Sequence, residues 1–219
     1  MTSAHLETYW ELRLSRCAKA LEANNFAVYR ANNPAETREL IMQTIMPEVK
    51  PQSVSWGDSE TLHATGVLEL IRQNPSIKLI ETFIPGVPRE ELIEKRRQAL
   101  LTDLFFTGSN AVTECGKLVN MDMIGNRTAG ITFGPRNVVI CVGRNKVVPN
   151  LEAGMERVRN YAAPLNAIRH EGMKTPCMKT GDCMDCKSPD RICNVWAISQ
   201  KSYPKYRIKV ILINQDLGL

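Results

Sequence analysis

Nowhere in the 219 residues does an apolar run reach the roughly 18 residues a membrane-spanning helix needs. The opening residues, Met1-Thr2-Ser3-Ala4-His5-Leu6-Glu7, lack the cationic start and apolar stretch of an export signal, so a cytoplasmic location is expected. Aromatic residues are scarce at 6%, and neither sign of charge dominates: 28 Lys and Arg stand against 23 Asp and Glu, a net of +5. Spread over this length, that excess is too weak to imply nucleic acid. The densest basic run, Lys95-Arg96-Arg97, reads as the solvated face of a mixed helix. The three histidines (His5, His63, His170) are dispersed, with His63 reading as a surface or packing residue. There is no Ser-His-Asp order, no glycine-rich dinucleotide fingerprint and no Walker loop. Internal repeats and low-complexity linkers are also missing.

What remains is the composition of an ordinary globular protein, 43% hydrophobic and 23% charged. A chain of this mass buries about 70% of its extended surface on folding, enough for one sizeable core. A single domain over 1–219 is expected.

Helical spacing of Leu6, Trp10, Leu14, Cys17 and Leu21 predicts an N-terminal helix over 5–23, stopped by Asn24-Asn25. Short strands are predicted at 26–30, 51–56, 77–82, 103–107, 137–142 and 206–214. Between them, helices are expected from Asn33 to about Met46, after Gly57-Asp58-Ser59, over about 88–101, and over 149–161 with Pro149 at the start. Residues 117–120 and 130–133 read as short β or turn segments. Strand and helix alternate, which predicts an α/β fold with a mostly parallel sheet. Residues 137–142 are apolar and β-branched enough for a strand buried on both faces.

Cysteine is the informative composition. Seven are present, and Cys177, Cys183, Cys186 and Cys193 fall within seventeen residues, in a segment 174–194 ahead of the last strand. An odd total without an export signal argues against a disulfide framework and for metal ligands. Four thiolates can enclose a tetrahedral zinc or a [4Fe–4S] cluster, with the same net charge of −2 either way. The spacing x5, x2, x6 contains one Cys-x-x-Cys knuckle instead of the two common in structural zinc sites, which leans towards iron–sulfur. Of the scattered cysteines, Cys141 reads as a small core residue, while Cys17 and Cys115 carry no assignment.

Ligands in open α/β sheets sit beyond the carboxyl ends of the strands. Two turns there bear suitable residues: Gly57-Asp58-Ser59, whose amides can meet an anion or whose side chains can simply cap the helix, and Thr107-Gly108-Ser109-Asn110 one strand later. Asn120, Asp122, Asn126 and Arg127 form a polar knot, either a grip on a carboxylate or phosphate ligand or a buried ion pair fixing a turn. Asp122 and Glu114 are candidate acids or bases, and Glu114 reads equally as a loop carboxylate.

The stretch TGSNAVTECGKLVNMDMIGNR from Thr107, with FGPRNVVICVGRNKVVPNLEAGMERVR from Phe133, resembles the LUD-domain family of lactate-utilisation proteins. VSWGDSETL from Val54 and the ending VILINQDLGL are similar to that family as well, and TPCMKTGDCMDCKSPDRIC resembles the cysteine tail of its short, stand-alone members. The resemblance implies a Rossmann-like three-layer α/β sandwich related to the sugar-phosphate isomerase and CoA-transferase superfamily. It further implies a cleft for a small anionic metabolite around Gly57, Gly108, Asn120, Asp122, Asn126 and Arg127, and a role in oxidising lactate or similar hydroxy acids beside iron–sulfur or oxidoreductase partner proteins. The ferredoxin-type double motif of the larger members is absent. On the cysteine spacing, the expected cofactor is a [4Fe–4S] cluster ahead of zinc, in a redox or accessory component that can form a homo-oligomer. The alternative is a non-redox enzyme or binding protein for a phosphorylated sugar or acyl-CoA, with the cysteines holding a structural zinc.

Overall fold

A computed structural model describes residues 4–170 and 172–219. Helix α1 (Ala4–Ala23) buries Leu14, Cys17, Ala18 and Leu21, one stripe of a 3.6-residue period, and ends where Asn25 turns left-handed at φ 64°. Strand β1 (Ala27–Ala31) follows, then α2 (Pro34–Leu40). Asn33 caps α2, its side chain accepting from the Glu36 amide at 2.9 Å while the Glu36 carboxylate accepts from the Asn32 amide at 2.8 Å. A π turn over Ile41–Ile45 carries the helix into α3 (Met46–Val49), three residues beyond the predicted end at Met46.

Strand β2 (Ser53–Trp56) leads to α4 (Glu60–Thr65) and α5 (Val67–Arg72), separated at Gly66, whose φ of 67° only glycine adopts without strain. Then come β3 (Lys78–Ile80), α6 (Arg89–Ala99), β4 (Leu104–Gly108), β5 (Ala111–Thr113) and β6 (Leu118–Asp122). Residues 130–133, predicted as β or turn, lie mostly in helix α7 (Asn126–Thr132), because the Asp122 carboxylate accepts the Thr128 amide at 2.8 Å and fixes the helix start. Next are β7 (Asn137–Gly143), a 3-10 turn (Arg144–Lys146), β8 (Val147–Val148) and α8 (Leu151–Arg157), capped by Asn150. A π turn over Val158–Ala162 joins α8 to α9 (Ala163–Ile168). The chain continues through α10 (Cys177–Thr180), β9 (Val195–Ser199), which the sequence reading missed, and β10 (Ile208–Ile213).

Six strands form one wholly parallel sheet in the order β1-β10-β7-β4-β2-β3. Its two faces carry separate cores. Val138, Ile140 and Val142 of β7 pack on the side of α1 and α7, while Val139 and Cys141 pack on the side of α2, α4 and α5. The three-layer α/β architecture therefore follows from a central strand whose side chains alternate but are apolar on both faces. Each such side chain, fully buried, contributes about 1.5–3 kcal/mol. A second, mixed sheet, β8-β5-β6-β9, packs against the helix running through α8.

The strand order locates the ligand crevice. From β2 the chain steps outward to β3, then returns to the other side of β2 with β4. Connections leave β2 and β4 in opposite directions, and the gap between their carboxyl ends is the topological switch point where open α/β sheets bind ligands. No helix among the described residues is long and apolar enough to cross a membrane.

Candidate functional site

The turn after β2 and the turn after β4 are in contact: a Cβ on Gly108 would stand 2.4 Å from Ser59 Oγ. Gly108 is therefore required for the two rims to close on each other. Above them opens a crevice of about 550 Å³. Of the residues singled out in the sequence, Asp58, Ser59, Gly108, Asn110, Asp122, Asn126 and Arg127 line it.

Ser59 serves as the helix cap, its hydroxyl accepting the Leu62 amide at 3.2 Å. Asp58 is paired with Arg169 and with His63, whose Nε2 lies 3.4 Å from Oδ1. Burial pushes the Asp58 carboxyl up, but the His63 hydrogen bond and the Arg169 guanidinium outweigh it and leave it at about 2. The same contact raises His63 above its ordinary value. Arg169 also binds Glu60.

The polar knot is an ion pair built into the crevice wall. Arg127 Nη2 lies 2.6 Å from Asp122 Oδ1, with side chains 14% and 3% exposed. The same nitrogen donates to Asn110 Oδ1 at 3.1 Å and to the Met121 carbonyl at 3.0 Å. Asn110 Oδ1 also accepts the Met121 amide, and the Asn110 amide donates to Asn120 Oδ1 at 3.3 Å. Three candidates stand behind this surface. Gly57 lies under Arg127, where a Cβ would be 2.6 Å from Arg127 Cγ. Asn120 is fully buried behind Asn110. Thr107 is buried in β4, its hydroxyl without a hydrogen-bond partner among the described residues.

Glu114 lies elsewhere. It follows β5 and accepts from Arg13 at 2.6 Å and Arg16 at 3.0 Å, tying α1 to the small sheet. Burial raises its carboxyl, and the two arginines more than reverse that. It does not line the crevice, so its position is that of a structural carboxylate.

The sequence reading did not assign Lys146, Arg89, Arg96, Arg169 or His170 to the site, yet all line the crevice. Arg89 and Arg96 are seven positions apart on α6, two turns along one helix face, and that spacing was a signal available in the sequence. Arg96 stacks over Phe83 at 4.7 Å, and burial followed by Arg89 lowers its pKa. His170 is lowered by burial and by Arg169. Arg127 and Arg169 have carboxylate partners, whereas Arg89, Arg96 and Lys146 have none among the described residues. Asp58, Glu60, Asp122 and Asp190 line the same crevice, so its free positive charge is confined to the Arg89 and Arg96 face of α6, the local electrostatics that draws in an anion.

The four clustered cysteines line a second, small cavity of about 20 Å³ with Met184, Arg191 and Ile192. They are unbridged and partly buried. Arg191 donates to the carbonyls of Cys186 at 2.7 Å and Cys193 at 3.1 Å, drawing the segment around the sulfurs. No group of three or more His, Cys, Asp or Glu among the described residues is gathered tightly enough to hold a metal ion. The donor set fits a soft metal or an iron–sulfur cluster, and its present spread means the loop would have to draw inward around the group. Ala163 and Ile192 line both cavities, so one wall separates them. Of the other cysteines, Cys141 and Cys17 are core residues whose thiols burial pushes up to about 12, and Cys115 is exposed.

Fold and crevice together define a three-layer α/β protein with an arginine-bearing polar pocket at the switch point of a parallel sheet. The family model described as LUD domain matches residues 14–213, and the chain belongs to that family. A solved structure of a DUF162 family protein from Deinococcus radiodurans is similar in fold, with a TM-score of 0.53 and 14% identity, covering 93% of this chain and 98% of that one. No curated protein matches the chain.

Proposed function

We propose that the chain binds a small organic acid of the lactate type in the switch-point crevice and carries a [4Fe–4S] cluster on Cys177, Cys183, Cys186 and Cys193, as a redox or accessory component of hydroxy-acid oxidation. The observation that carries this reading is the shared wall of Ala163 and Ile192 between the cysteine cavity and the crevice. When bound, the cluster supplies one-electron storage beside the ligand. The protein's own residues do the rest: Arg89 and Arg96 offer unpaired guanidinium groups to a carboxylate, and the Asp122–Arg127 pair holds the rim in shape.

The test is anaerobic purification with metal analysis and a visible spectrum, alongside Cys183→Ser. The expected protein is brown, holds about four irons, absorbs broadly and is bleached by dithionite. A colourless protein with one zinc would overturn the redox reading. It would favour a binding protein for a phosphorylated sugar or acyl-CoA whose cysteines are structural. Thermal shift with lactate, a sugar phosphate and coenzyme A then identifies the anion.

A further inference from the structure

One buried group has no part in that reading. Lys146 ends the 3-10 turn after β7, is 5% exposed and lines the crevice. Its hydrogen bond runs to Thr61 Oγ1 at 2.8 Å. Thr61 gives its own proton to the Leu217 carbonyl at 3.1 Å, so it accepts from Lys146 and offers the amine no negative charge. Lysines are almost never buried unless paired, and a buried charge without a partner is costly.

The groups facing Nζ come from every neighbouring element. Thr61 and Glu60 approach from α4, Cys141 from β7, Arg127 from α7 and Arg157 from α8. Gly218 lies in the final segment, where a Cβ would stand 3.1 Å from Nζ. Burial, then Arg157 and Arg127, push the ammonium down to about 7, with Cys141 and Glu60 opposing weakly. A desolvated lysine next to other cations is the arrangement that makes an amine a nucleophile towards carbonyl carbon.

We propose that Lys146 captures the carbonyl carbon of a small 2-oxo acid in the crevice as an imine. The inference rests on the reading that the crevice takes a small organic acid, and it narrows the class to acids that carry a carbonyl beside the carboxylate. The cations of the crevice receive the carboxylate, and the carbonyl supplies the electrophile that a hydroxy acid lacks. In the step, the neutral Nζ lone pair forms a C–N bond to the carbonyl carbon, and the carbonyl π pair moves to oxygen. The C–O bond then breaks, and that oxygen leaves as water with the two protons that began on nitrogen. No oxidant or reductant is consumed. The ligand is the oxidised partner of a hydroxy acid, so the reaction that supplies it is a hydroxy-acid oxidation.

The experiment uses the full chain as purified, with pyruvate as probe and sodium cyanoborohydride to trap the imine, read by intact mass and peptide mapping. One reduced pyruvate adduct on Lys146 is expected, forming faster as pH rises through about 7. It should vanish in Lys146→Met and persist in Thr61→Val. Because the adduct is mapped on the unmodified protein, the result does not depend on either variant folding. Adducts on surface lysines only, or none, overturn the proposal. Retention of radiolabelled pyruvate by equilibrium dialysis, measured in parallel without reductant, separates the two claims. Retention without an adduct removes the imine and leaves the organic-acid crevice, and neither retention nor adduct removes both.

Discussion

Replacing Lys146 with methionine should make the protein more stable, and by an amount that depends on pH. Methionine keeps the length and packing of the lysine stem and removes the charge. The fall of the ammonium pKa from 10.5 to about 7, at 1.36 kcal/mol for each tenfold change in proton affinity, means that keeping the charge in the fold costs about 5 kcal/mol. Losing the hydrogen bond to Thr61 gives back about 1 kcal/mol. The net gain below pH 7 is thus of the order of 3–4 kcal/mol, or about 10 °C in melting temperature for a chain of this size.

The sign follows from linkage. The unfolded lysine holds its proton up to about 10.5 and the folded one releases it at about 7, so unfolding takes up a proton in that window. Wild-type stability therefore rises with pH relative to the variant by about 1.4 kcal/mol for each pH unit, and the gap closes near the upper end. Urea unfolding of both proteins at a series of pH values measures the gap, and titrations common to both cancel. A difference that is flat across the window, or a variant equally destabilised at every pH, would refute the reasoning.

Removing a buried charge that does have a partner should act in the opposite sense. Asp122→Ala strands Arg127 in the crevice wall and frees the Thr128 amide, a loss of about 3–5 kcal/mol read by urea unfolding; an unchanged midpoint would mean Arg127 finds other partners. At low pH, Asp58 gives a separate signature. Its carboxyl is held at about 2 against an ordinary 3.8, so it contributes about 2 kcal/mol above pH 4 that is lost as pH falls towards 2. Asp58→Asn should flatten that acid limb of the melting curve, and an identical limb would discount the Arg169 and His63 contacts.

The parallel sheet was legible because β4 is a short run of leucine and phenylalanine, because β7 and β10 are short, apolar and β-branched, and because Asn33 and Ser59 announce helix starts through their side chains. The rim residues were legible for a topological reason: turns after parallel strands share one edge. Helix α7 was missed because its start is set by a carboxylate four residues earlier and its middle carries Thr128 and Gly130, weak helix formers. Strand β9 was missed because it is the half-exposed edge of a small sheet and follows the cysteines without a patterned face. Lys146 and Arg169 were illegible for another reason. Neither the burial of Lys146 under Gly218 nor the pairing of Arg169 with Asp58, more than a hundred residues away, leaves any periodic trace in the chain. Glu114 had the right residue type in a promising loop, but its two arginine partners come from α1, across the small sheet.

The path from the cysteines to the rim is short in covalent terms. Cys193 is followed by Asn194, whose amide donates to the Asp122 carbonyl at 3.0 Å, and by Val195, which pairs with Asp122 as β9 joins β6. Any group that draws the four sulfurs together acts on this strand end, and hence on the backbone that holds the Asp122–Arg127 pair. Under the function proposed above, occupancy of the thiols and occupancy of the crevice would be two ligation equilibria joined by one coupling free energy, which is reciprocal by thermodynamic necessity. On the proposed reading, whatever factor an anion in the crevice adds to the affinity of the cysteine site, filling the cysteines adds to the affinity for that anion.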